Sequence, residues 1–177
     1  MKKLLLMLFL ACLIFSAGCS ISDTVNESEE FMEPEPSEWV VFNEVLTEYF
    51  HYRTQSVIKN DIDVLHERYP ILSENISLEE GINIEENELK SYNEGLTLID
   101  ANYSLEQYDR LKVRKINSDE AVLLVHGSNL YVTREYGESG GEFLMEVYLR
   151  KDQGSWEIIK TDEYTLSEYH AWLEEQK

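Results

Sequence analysis

Apolar residues along this chain change spacing several times, and each change predicts an element. Leu4 through Phe15 are apolar without interruption, between Lys2-Lys3 and the small residues Ser16, Ala17 and Gly18. A bilayer span needs roughly 20 apolar residues, so this shorter run has the form of a secretory leader. The next stretch, SISDTVNESEEFMEPEP, holds Ser, Asn, Glu and Pro with few large apolar side chains, the composition of a tether that buries too little surface to fold. Trp39, Phe42, Leu46, Tyr49, Phe50 and Val57 then recur at helical steps and predict one core-facing helix, opening at the N-cap candidate Ser37 and ending near Lys59. Asn60-Asp61 breaks it and can cap a short second helix carrying Ile62, Leu65 and Tyr69 ahead of Pro70.

Between Ile71 and Asn102 the steps stay helix-like but are broken by Gly81 and Gly95, and they predict a helix over 86–93. After Tyr103 the period becomes that of strands. Leu111 and Val113 alternate with Arg110, Lys112 and Arg114, and Asn117-Ser118-Asp119 turns the chain into AVLLV and LYVTREY. Gly127 predicts a bulge in one long bent strand, with a hairpin turn there as the alternative. A turn follows at 136–141. Phe143, Met145, Val147 and Leu149 then form an apolar face opposite Leu144, Glu146, Tyr148 and Arg150. Asp152-Gln153-Gly154 leads into SWEIIKTDEY, and 166–175 closes the chain as a short helix.

The residues before Cys19, FSAGC, resemble the lipobox of bacterial lipoprotein precursors, although Ser16 stands where that pattern usually has Leu. The resemblance implies a signal peptide over 1–18, fatty acyl (palmitate-type) chains on Cys19, an acidic linker over 19–36 and a globular domain over 37–177. The expected location is the extracytoplasmic face of the cell membrane, held by a lipid anchor. With Cys12 in the leader and Cys19 acylated, the mature domain has no disulfide, thiolate ligand or thiol nucleophile.

Charge narrows the partners. The chain has 15 Lys and Arg against 35 Asp and Glu, formally −20, and loss of Lys2 and Lys3 with the leader takes it to −22. Such a field repels nucleic acid and excludes it as a partner.

A long amphipathic helix, a short helix opening at Asn60-Asp61 and a closing FLMEVYLRKDQGSWEII resemble the NTF2-like (cystatin-like) α+β fold. That resemblance implies N-terminal helices packed on a curved antiparallel sheet to form a cone, with Trp156 plugging the space between sheet and helix. Enzymes of this fold place an acid or His in the cone as general base. Asp61, Asp63, His66 and Tyr49 fall in segments that could line it, but no local motif puts them there.

Chemistry-bearing motifs are otherwise sparse. His51, His66, His126 and His170 stand apart without metal-ligand spacing, and the run Glu79-Glu80, Glu85-Glu86 and Glu88 lacks the ordered ligands of a calcium loop. The expectation is no metal, no cofactor and no catalytic set, with the acidic run a solvated face. Candidate ligand-binding side chains are Tyr49, Tyr52, His66, Tyr131, Tyr148 and Trp156, mostly rigid rings with polar tips. Arg110, Lys112 and Arg114 form a basic ladder expected to neutralise neighbouring carboxylates or guard a sheet edge. The leading expectation is a non-enzymatic binding domain for a ligand or envelope protein; the alternatives are an enzyme with a cone-shaped pocket and a module that dimerises through its sheet.

Overall fold

Proline's fixed φ suits the first helical position, where no backbone bond is lost, and Pro36 opens the long helix, with the N-cap two residues ahead of the expected Ser37. α1 spans Pro36–Lys59 with Glu35 at its N-cap, and the Glu38 carboxylate reaches back to accept the Glu35 N–H at 3.2 Å. At the other end Asn60 adopts a left-handed φ of 56° and its N–H bonds the carbonyls of Ser56 and Val57. Asp61 Oδ1 accepts the Asp63 N–H at 3.1 Å and opens α2, Asp63–Arg68, before the 3-10 turn Pro70–Glu74. α3 spans Ile84–Asn93, where a helix was expected. The computed structural model describes residues 30–74, 84–93, 98–105 and 108–177; the leader and Cys19 lie outside the described residues. Among the described residues no helix is long and apolar enough to cross a membrane.

Among the described residues five strands form one antiparallel sheet: β1 Leu98–Ser104, β2 Leu111–Lys115, β3 Glu120–Thr133, β4 Glu138–Asp152 and β5 Ser155–Glu163. β3 is its spine. The first half of β3 pairs with β2 and the second half with β1, while β4 runs along its whole other edge and carries β5 beyond it. β1 departs from the helix-like reading of that stretch. Only Ala101 and Tyr103 of this strand are buried, so its alternation is too short to stand out in the sequence.

The bulge expected at Gly127 is absent: Gly127 sits opposite Phe143 in an unbroken register. The ring of Phe143 lies over it, and a Cβ there would land on that ring. The turn expected at 136–141 is shorter, because Ser139, Gly140 and Gly141 already pair with Tyr131, Leu130 and Asn129. Gly140, at φ 147°, occupies a spot where a Cβ would meet the Asn129 carbonyl.

The inner sheet face and α1 enclose the main core, in which Leu46, Tyr49, Leu123, Val125, Met145 and Val147 are fully buried. Each such side chain contributes about 1.5–3 kcal/mol. The outer face carries a second cluster of Leu124, Leu144 and Tyr169 under α4, Leu166–Glu175, with Trp172 and Phe31 against it. The expected linker therefore ends earlier than residue 36. Met32 bridges Val113 through two backbone hydrogen bonds of 2.9 and 2.7 Å, and Phe31 lies 4.6 Å below the Arg114 guanidinium. The edge of β2 offers unpaired backbone groups, and this segment takes them.

Candidate functional site

Arg53 lies within the apolar stripe of α1, between Tyr49 and Val57, and so points into the cone. It is 1% exposed. Its Nε donates to Glu88 Oε2 at 2.9 Å and its Nη2 to Glu163 Oε2 at 3.0 Å, and its guanidinium lies 4.6 Å from the Tyr103 ring centroid. The hydroxyls of Tyr103 and Tyr131 both donate to Glu88 Oε1. Asn129 Nδ2 donates to Tyr131 at 3.0 Å. One turn earlier on α3, Glu85 Oε1 accepts from Tyr49 and Thr161, both at 2.6 Å.

α3 thus pushes two carboxylates into a ring of donors from α1, β1, β3 and β5. The acidic run was expected to be a solvated face; Glu86 is exposed, but Glu85 and Glu88 are 2% and 7% exposed. Their i, i+3 spacing puts both on one helix face; Arg53 supplies the charge opposite Glu88, and Tyr49 and Thr161 supply the donors for Glu85. Glu79 and Glu80 lie outside the described residues.

The electrostatics hold Arg53 charged and the three tyrosine hydroxyls protonated. Burial works against the Arg53 charge, but Glu88, Tyr49 and Glu163 outweigh it and hold the guanidinium above its ordinary range. Burial, reinforced by Glu85 for Tyr49 and by Glu88 for Tyr103 and Tyr131, pushes the three hydroxyls up and keeps them protonated donors. Burial also raises Glu163, despite Arg53. Both oxygens of Glu88 are engaged, so the cone is occupied by its own side chains and offers a substrate no free base at that carboxylate.

The six aromatic and His candidates do not form one site. Tyr49 and Tyr131 join the cone network. Tyr52 is half-buried, edge-on to Tyr69 at 6.1 Å and to His51 at 5.5 Å. His66 is half-buried on α2, and Asp61 and Asp63 are exposed at the start of that helix, outside the cone. Trp156 packs edge-on to Phe42 at 5.7 Å, with Lys151 Nζ 4.7 Å above its ring. Tyr148 is on the outer sheet face, donating to Glu146 Oε2 at 2.7 Å with Lys160 over its ring. On that face Arg110 pairs with Glu142 at 2.8 Å and Arg114 with Glu146 at 3.7 Å, the neutralising role expected of the basic ladder. No group of three His, Cys, Asp or Glu among the described residues is placed to hold a metal ion.

A ligand-sized space lies elsewhere. A groove of about 420 Å³ runs between α1 and β1, within the roughly 300–1,000 Å³ of small-molecule sites. Asn43, Thr47, His51 and Thr54 follow one another along one side of α1, and β1 borders the other; there the side chains of Asn102 and Ser104 lie on the opposite sheet face from Ala101 and Tyr103, beside Leu130 and Ser128. Leu46, Phe50, Ala101 and Tyr103 make the floor. Asp, Glu, Lys and Arg make up 28% of the chain, yet none appears among the described residues that line this groove. The sequence carried a signal for it: residues 43, 47, 51 and 54 are a helical stripe of amides, hydroxyls and an imidazole beside the apolar one.

No family model matches the sequence, and no curated protein does. Among solved structures the chain is similar to Aln2 from a Streptomyces species, with a TM-score of 0.52 at 8% identity over 78% of this chain and 98% of that one. It is also similar to a protein of unknown function with a cystatin-like fold from Nostoc punctiforme, at TM-score 0.41 and 16% identity, over 75% of this chain and 93% of that one. A Caulobacter vibrioides protein with a cystatin-like fold gives TM-score 0.40 at 11% identity, over 75% and 93%. At these identities the likeness is one of fold alone. The α+β architecture, helices on a curved antiparallel sheet, is the one expected from the sequence.

Proposed function

We propose that this chain is a lipid-anchored binding domain on the extracytoplasmic face of a cell membrane, and that the groove between α1 and β1 holds its ligand or envelope partner. The contrast between the two interior spaces carries this reading. The cone, where enzymes of this fold keep their base, is occupied by the Arg53–Glu88–Glu163 network; the groove is ligand-sized, with a polar stripe of α1 that holds no Asp, Glu, Lys or Arg over an apolar floor. Binding without chemistry suits a site whose described lining offers donors and acceptors but no carboxylate.

The anchor rests on the leader and on Cys19. Two or three acyl chains, at about 0.8 kcal/mol for each buried CH₂, hold a protein on a bilayer where one chain does so marginally. Met32 is paired to β2, so the tether between Cys19 and the folded domain is short and keeps the domain close to the bilayer. Cys19→Ala tests this half: the variant loses fatty-acid labelling and moves to the soluble fraction, whereas unchanged labelling overturns the anchor.

A further inference from the structure

We infer that the groove takes an extended peptide segment of a partner protein, basic in charge, which adds to the open edge of β1 as a further strand; the inference rests on the groove being the binding site. Ala101, Asn102, Tyr103, Ser104 and Leu105 line the groove one after another. Successive side chains of a strand point to opposite faces, and here Ala101 and Tyr103 are buried in the core while Ser104 bonds Ser128 on the other face. A groove that meets every residue in turn therefore runs along the edge of the strand, where the backbone faces α1.

That stretch of backbone is open. β1 is a terminal strand that pairs with β3 on one side, and among the described residues no hydrogen bond reaches the other side of residues 100–103. At the β2 edge the chain supplies its own cover, Met32, which bridges Val113 through two backbone bonds of 2.9 and 2.7 Å. At β1 the corresponding place is the groove of about 420 Å³.

The walls set the chemistry of the occupant. In strand addition the main-chain hydrogen bonds give affinity and the alternate side chains give specificity. One set of side chains would meet the buried floor of Leu46, Phe50 and Tyr103, so those are apolar; the set between them turns to solvent and is polar. Asn43 to Thr54 covers about 16 Å of helix at 1.5 Å per residue, which matches about five residues of strand at 3.3 Å each. Charge selects among peptides: with a formal charge of −20 and Asp100 exposed on β1 itself, an acidic segment or a second copy of this chain is repelled and a basic segment is drawn in. A glycan carries no ladder of groups to match main-chain donors and acceptors at the strand repeat.

The test is titration of the full chain in detergent with the heptapeptide pool Lys-x-Thr-x-Thr-x-Lys, x being Val, Ile, Leu, Phe or Tyr, read by amide NMR shifts and hydrogen exchange. The same pool with Glu at both ends, two pools N-methylated at one or the other set of alternate residues, and cellotriose are the competing probes. The Lys-flanked pool should bind saturably, shift residues on α1 and β1 and slow exchange at residues 100–103. One of the two N-methylated pools should bind about ten-fold more weakly, having lost the N–H groups that face β1. Thr47→Trp, an exposed substitution on the α1 wall, should weaken binding about ten-fold, while Tyr148→Phe on the outer face leaves it unchanged. Saturation of the groove by cellotriose alone, or peptide binding that neither set of N-methyl groups alters, overturns strand addition and leaves the groove as binding site. Equal binding of the Glu-flanked pool overturns the basic partner. Self-association that protects β1 without any peptide gives the edge to a second copy and overturns the inference. Peptide binding with shifts away from α1 and β1 overturns both the inference and the groove. No saturable shift with any peptide pool overturns strand addition.

Discussion

Replacing Arg53 with Met keeps an unbranched stem in the core and removes the charge that two buried carboxylates share. Glu88 and Glu163 then lose partners at 2.9 and 3.0 Å while their side chains remain 5% and 13% exposed. Removing one member of a buried pair costs about 3–5 kcal/mol because the other charge is left uncompensated, a large share of the roughly 5–15 kcal/mol that holds a domain folded. Urea unfolding of Arg53→Met should show that loss as a lower midpoint at unchanged slope. The pH dependence has a definite sign. Burial already holds Glu163 above the ordinary 4.5, and removing Arg53 takes away the charge that opposes that rise. The variant's stability therefore falls as pH rises through that raised value, so its deficit is widest near neutrality and narrows on acidification. Arg114→Met, which breaks a partly exposed pair to Glu146 at 3.7 Å, is the control and should cost about 0–1 kcal/mol. A loss below about 1 kcal/mol for Arg53→Met, or a deficit that does not shrink in acid, would refute the network as the anchor of the cone.

Gly127→Ala places a methyl on the Phe143 ring and should cost about 1–3 kcal/mol; combining it with Phe143→Leu should recover part of that loss, as thermal melts of the double variant will show. Thr165 accepts the Glu168 N–H at the start of α4, so Thr165→Ala should cost about 1 kcal/mol and speed amide exchange in α4 and over Leu124 and Leu144. Hydrogen bonds from Arg110 and Tyr169 hold Glu142 below the ordinary carboxylate value. Its contribution is thus present above 4.5 and lost as pH falls through the lowered value; Glu142→Gln should flatten that acid limb of the stability curve.

Much of the fold was legible because periodicity reports burial. The stripe from Trp39 to Val57 became α1, and Phe143 to Leu149 became the inner face of β4. What escaped depends on contacts distant in sequence. Arg53 sits at a stripe position, which was the visible hint, but its partners lie on α3 and β5, and no local pattern joins them. Glu85 and Glu88 look like any acidic run until Tyr49 and Thr161 are opposite the first and Arg53 opposite the second. Gly127 was read as a backbone irregularity because a glycine in a strand often marks one; here the cause is a ring on the neighbouring strand. The groove was missed for a related reason: its α1 wall is a polar stripe, and polar stripes read as solvent-facing unless a second element is known to face them.

The most direct test of the account is site-specific photocrosslinking in intact cells. A photoreactive amino acid at Thr47 or His51, both exposed on the groove, should capture an envelope component in the membrane fraction, while the same group at Tyr148 on the outer sheet face should not. Adducts from position 148 alone, or none from 47 and 51 in a protein that still reaches the membrane, would contradict the groove as the binding surface.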